Sequence, residues 1–115
     1  MTIDKSFNLS VYQYDYGVPV VFTAKRDKGF LINDEIIFVF AANEIGERKY
    51  TVANDEYAFE FSLTKQEAEN LYANHVGVSG DYAIPYSIKH YRNGVFVDTI
   101  KNATLYVRVT VPWQN

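Results

Sequence analysis

The chain has 115 residues, 11 basic against 14 acidic, and no cysteine. That is one domain's length, and it excludes a disulfide framework and a thiolate metal site. The formal net charge is −3 with no basic run or stripe, so nucleic-acid binding has no electrostatic support. No apolar stretch reaches the roughly 18 residues of a spanning helix, and Met1 to Lys5 lead into no apolar signal core, so neither a membrane span nor a secretory signal is expected.

Aromatic residues make up 17% of the chain, with ten Tyr, eight Phe and one Trp. They favour half-buried pleated surfaces, and period-two patterning runs through nearly every segment. Phe7, Leu9 and Val11 alternate with polar neighbours. Val18, Val20, Phe22 and Ala24 mark a second strand, closed by a turn at Arg26 to Gly29. Glu35 to Phe40 is apolar on both faces and reads as the most central strand. Lys49 to Ala53 is a short strand, and Tyr57, Phe59, Phe61 and Leu63 form one face of the next.

A helix is predicted over 64–72. Thr64-Lys65-Gln66-Glu67 matches a capping box, followed by apolar Ala68, Leu71 and Tyr72. Tyr82, Ile84, Tyr86 and Ile88 then define a strand that Pro85 places at an edge or a bulge. Asn93-Gly94 predicts a two-residue type I′ hairpin, and Leu105, Val107 and Val109 give the last inner face. The expected core is Val20, Phe22, Ile36, Phe38, Phe59, Phe61, Leu63, Tyr82, Ile84, Ile88, Val97, Leu105, Val107 and Val109. The fold class that follows is all-β: an antiparallel Ig-like β-sandwich of about seven or eight strands and one short helix, in a single domain over residues 1–115.

The residues offer little for catalysis. Gly77-Val78-Ser79-Gly80-Asp81 departs from the nucleophile-elbow pattern at its fifth position. His75 and His90 are isolated, so no metal is expected, and each reads as a structural or surface histidine. Asp34-Glu35 and Asp55-Glu56 are adjacent carboxylates, which on a strand face opposite ways. No phosphate loop or dinucleotide fingerprint is present, and neither an enzyme nor a cofactor is expected.

The surface offers more. A two-residue turn at Asn93-Gly94 pairs Arg92 with Val95, Tyr91 with Phe96 and Lys89 with Asp98. Tyr106 and Arg108 take outward positions on the last strand, and Trp113 follows it. Exposed aromatics with an arginine match the composition of interface hot spots. Tyr91, Phe96, Tyr106, Arg108 and Trp113 are therefore the candidate interaction surface. The same side chains also suit plain cross-strand pairing.

Taken in order, Val20 to Lys25, Asp34 to Phe38, Phe59 to Thr64 with Glu67, Ala68 and Leu71, Gly80 to Ile84, Asn93-Gly94 and Thr99-Ile100 resemble one family. It is the Ig-like β-sandwich domain at the N-terminus of phage baseplate upper proteins, with related small proteins of phages and prophages of Gram-positive bacteria. The likeness covers roughly positions 18 to 111. It implies a non-enzymatic structural or adaptor part of a phage tail or baseplate, located in the virion or the bacterial cytoplasm. Its partners would be tail components or further copies of itself. Baseplate upper proteins continue into further domains, so a chain of this length also suits a tail accessory or decoration. The alternative expectation is a carbohydrate-binding sandwich, whose exposed aromatics would stack on sugar rings.

Overall fold

The computed structural model describes residues 1–12, 16–17, 19–25, 29–53, 56–74 and 82–108. Eight strands and one helix run along them. In order they are β1 (Thr2–Ile3), β2 (Leu9–Tyr12), β3 (Val20–Lys25), β4 (Glu35–Phe40), β5 (Arg48–Thr51), β6 (Glu56–Phe61), α1 (Lys65–Asn74), β7 (Tyr82–Arg92) and β8 (Val95–Arg108). The domain is all-β, as its patterning predicts. A six-stranded sheet has the order β1-β2-β8-β7-β4-β5, and β3 pairs with β6 as a second, two-stranded sheet.

The expectation of purely antiparallel pairing is corrected at one place. β2 runs parallel to β8, with Leu9 opposite Leu105 and Val11 opposite Val107, so the large sheet is mixed. Hairpin turns impose antiparallel neighbours, but a parallel pair needs a long connection. Here that connection is the whole chain between β2 and β8.

Alternation decides which residues meet between the layers. β4 buries Ile36, Phe38 and Phe40 and leaves Glu35, Ile37 and Val39 half-buried on the other face. Ile84, Tyr86 and Ile88 of β7, Leu105 and Val107 of β8 and Leu9 and Val11 of β2 join that inner face. Val20 and Phe22 of β3 and Phe61 of β6 cover it from the second sheet. The Phe38 ring meets Phe22 edge-on at 4.7 Å between centroids and lies parallel to Phe61 and Tyr86, each at 6.2 Å. Such pairs add stabilisation beyond the area they bury. The Tyr86 hydroxyl donates to the Phe7 carbonyl, which satisfies a polar tip inside this core. Burial pushes the Tyr86 phenol far above its usual range.

Of the expected core, Val97 is corrected: it is 45% exposed. Tyr82 is only partly buried. The Phe59 side chain and Val109 lie outside what is described. β4 is paired on both sides, yet β8 and β7 occupy the middle of the sheet. β7 is therefore not an edge strand, although it contains Pro85. The Pro85 carbonyl accepts from Ala41 N, just past the last β4–β7 pair, Phe40 with Tyr86. In extended backbone a residue's N and O face the same side, so the missing N–H lies one residue past the end of the β4–β7 ladder and removes no bond from it. The two irregularities of the β7–β8 ladder lie further on, beside Ile88/Lys89 and His90/Tyr91, where β8 carries the extra residues Ile100 and Val97.

The capping box forms as the sequence specifies. Glu67 N donates to Thr64 Oγ1 at 3.1 Å, and Thr64 N donates to Glu67 Oε1 at 2.9 Å. The helix runs two residues past the expected Tyr72, to Asn74, whose amide donates to Glu44 Oε2 at 2.7 Å. Ala68 and Leu71 are buried, so the apolar stripe packs on the domain. Arg48 bonds Glu67 at 2.5 Å and Gly46 N donates to the same carboxylate at 2.9 Å, which ties α1 to the start of β5. Burial pushes the Glu67 carboxyl up, and these hydrogen bonds outweigh it, bringing it below the usual range. Thr64→Ala removes one cap acceptor and is expected to cost about 1 kcal/mol, read as a lower urea midpoint with unchanged slope.

Candidate functional site

The β7–β8 hairpin is organised by its turn. Asn93 and Gly94 have φ of 52° and 78°, the left-handed pair that a type I′ turn requires. Arg92 pairs with Val95 and Tyr91 with Phe96, as the turn predicts. The next pairing differs from expectation. A register shift between His90 and Tyr91 places Asp98 opposite His90, and Lys89 opposes Thr99. A β-bulge inserts an unpaired residue and changes the face that follows it. Asp98 is thereby carried to the His90 side of the sheet instead of sharing a face with Lys89.

Below the turn sit the two polar side chains that are buried among the described residues. Asp34 is 2% exposed and His90 4%. Arg92 grips the Asp34 carboxylate with two donors, Nε to Oδ1 at 2.9 Å and Nη2 to Oδ2 at 2.8 Å. His90 Nε2 lies 2.6 Å from Oδ2, and Leu31 N donates to the same oxygen at 2.8 Å. An ionised carboxylate only accepts, so Nε2 is the donor. Arg92 Nη2 also donates to the Gly29 carbonyl at 2.8 Å. The Arg92 hydrogen bond is the main reason the Asp34 carboxyl stays far below the usual carboxylate range; burial opposes it, and the bonds from Leu31 N and His90 assist. Phe30 covers the imidazole edge-on at 4.8 Å. Glu35, next along the chain, faces the other way and pairs with Lys49 at 3.3 Å. This cluster clamps residues 29–34 onto the hairpin.

The clamp shapes the surface above it. Val95, Phe96 and Val97 are 66%, 50% and 45% exposed, and Leu31 and Ile32, in the segment held by Asp34, are 51% and 54% exposed. Five large apolar side chains thus lie at the hairpin end of the domain. Loops at the end of a rigid sheet are where binding residues concentrate.

The expected surface residues separate into two pairs. Tyr91 and Phe96 meet edge to face at 5.6 Å. The Arg108 guanidinium lies 5.1 Å from the Tyr106 ring centroid. Phe96 and Tyr106 stand ten positions apart on one strand, about 30 Å at the usual rise per residue. The four therefore do not form one patch, and Trp113 lies outside the described residues. The Tyr91 and Phe96 rings are inclined at 70°, so they form no flat platform for a sugar ring.

Sequence reasoning missed Leu31, Ile32 and Val97, and it read Asp34 and His90 separately. The partners are 56 residues apart, and no local spacing announces them. Among the described residues, no group of three or more His, Cys, Asp or Glu surrounds a common metal position. No described helix is long and apolar enough to cross a membrane. Compared with protein-family models and with curated proteins, the chain matches none.

Proposed function

We propose that this chain is a non-enzymatic structural or adaptor module of the phage tail or baseplate kind, working by protein–protein contact at its hairpin end. The observation that carries the contact reading is the exposure of Val95, Phe96 and Val97 on the hairpin and of Leu31 and Ile32 in the segment that Arg92 holds through Asp34 and the Gly29 carbonyl. Exposed apolar side chains gathered in this way mark interaction sites, whereas scattered ones need no explanation. The phage assignment rests on the family likeness of the sequence. The Ig-like reading is supported by strand order: β8-β7-β4-β5 follows the G-F-C-C′ order of variable-type immunoglobulin sandwiches, and β3-β6 follows the B-E pair.

The test is binding to purified tail particles, together with sedimentation of the isolated chain. The double variant Phe96→Ser with Val97→Ser alters exposed positions only, so its melting curve is expected to match the parent's. It is expected to lose particle binding, or self-association, by tenfold or more. A parent chain that stays monomeric and ignores the particles contradicts the proposal, and so does a double variant that binds as well as the parent.

A further inference from the structure

β8 is much longer than its outer neighbour. β2 pairs with it only from Leu105 to Arg108, so among the described residues no strand lies beside 95–104 on that edge. Thr104 N turns to that side and donates to Asn8 Oδ1 at 3.0 Å, which caps the parallel ladder. On the other side of β8, β7 keeps an unbroken register with β4, and the Pro85 carbonyl faces β4. Pro85, Ser87, Lys89 and Tyr91 therefore turn their backbone groups toward β4 and away from β8. Their partners Thr104, Asn102, Thr99 and Phe96 turn outward in the same way. The bulge residues Val97 and Ile100 take up the extra length of β8, so Phe96, Thr99 and Asn102 keep the spacing of alternate residues in a regular strand, about 7 Å. Asp98 and Lys101 pair with His90 and Ile88, which are buried, so both lie on the inner face.

We propose that this edge pairs with the same edge of a second copy of the chain, antiparallel about a two-fold axis at Thr99, joining the two large sheets into one. The inference rests on the contact reading of the hairpin end and names the partner there. In this register Thr99 meets Thr99 of the second copy, and Phe96 meets its Asn102, so every outward residue exchanges backbone hydrogen bonds. Asp98 then lies opposite Lys101 of the second copy, and Lys101 opposite its Asp98. Opposite charges directly across a pair of strands stabilise it, and like charges oppose it. The Asp98 side chain is 64% exposed and free to turn to that lysine. A lysine on an edge ordinarily discourages strand addition; here each lysine is answered by a carboxylate. Moving the axis to Asn102 sets Thr99 against Thr104, whose N–H Asn8 already holds. Parallel pairing of the two edges in register sets like charges side by side.

Sedimentation velocity reads the association, and amide hydrogen exchange followed by NMR at rising concentration locates it without any variant. The parent chain is expected to dimerise, with exchange at the Phe96, Thr99 and Asn102 amides slowing as the dimer fills. Asp98→Lys and Lys101→Glu are each expected to weaken the dimer at least tenfold, because each sets like charges opposite one another. An equimolar mixture of the two variants is expected to restore it as a mixed dimer, since every opposed pair then carries opposite charges. Exchange at those three amides that ignores concentration overturns the pairing. So do single variants that dimerise like the parent, and a mixture that stays monomeric. A monomeric parent that still binds tail particles overturns the pairing and leaves the contact reading standing.

Discussion

Replacing Phe38 with alanine is expected to lower the unfolding free energy by about 4 kcal/mol. Phe38 is fully buried and stands where both sheets meet. Its ring touches Phe22 of β3, Phe61 of β6, Tyr86 of β7 and Tyr50 of β5. Truncation loses the transfer energy of the ring and leaves a cavity that no single neighbour can fill, since each is anchored in a different strand. A domain of ordinary stability, about 5–15 kcal/mol, retains little after such a loss. Urea unfolding of the variant checks this, and a midpoint within error of the parent's would show that the ring cluster is not the centre of the core.

Asp34→Asn is the second large effect. The side chain keeps its shape but loses its charge, which leaves the guanidinium of Arg92 without its counter-ion and the Nε2–H of His90 without a charged acceptor. Breaking a buried ion pair on one side costs about 3 kcal/mol or more, and Arg92, partly open to water, softens the loss toward the lower figure. The effect carries a sign in pH. The folded carboxyl lies below its unfolded value of about 3.9, so its contribution is fully present above that value. It is lost as pH falls through the much lower folded value. The stability gap between parent and variant is therefore expected to be constant near neutrality and to narrow below about pH 4. Urea melts across that range measure it, and a gap that widens in acid would refute the assignment.

What the sequence made legible was local. Thr64 and Glu67 lie one helical turn apart and form their reciprocal bonds whatever the rest of the chain does. Asn93-Gly94 imposes positive φ on two residues and thereby fixes the first two pairs of its hairpin. Alternation in β4 reports which face is dry, and Ile36 and Phe38 are buried accordingly. The remainder depends on distant partners. The bulge that leaves Val97 of β8 unpaired, between the His90–Asp98 and Tyr91–Phe96 pairs, has no local signal, and β7 keeps an unbroken register with β4 beside it. It moved Asp98 to the His90 side and so broke the expected Lys89–Asp98 pair. The parallel pairing of β2 with β8 has the same character, since Thr104 N reaches Asn8 Oδ1 across 96 positions. Asp34 read only as one of two adjacent carboxylates, because its counter-ion is 58 residues away.

Composition pointed to aromatics and an arginine as a candidate surface, and the structure sets Tyr106 and Arg108 at the far end of β8 from Phe96. The apolar residues that join Phe96 are aliphatic, and the loop that contributes Leu31 and Ile32 is brought there by the Asp34 clamp.

The contact surface is the central claim, and photo-cross-linking tests it most directly. The photo-reactive residue benzoylphenylalanine is placed at position 96 in one variant and at position 12 in another. Tyr12 is also exposed and pairs with Arg108 at the opposite end of the sheet. Irradiation with purified tail particles, or at a concentration where the chain associates with itself, is expected to give a covalent adduct from position 96 and little from position 12. Adducts of equal yield from both positions, or from position 12 alone, would contradict a working surface at the hairpin end.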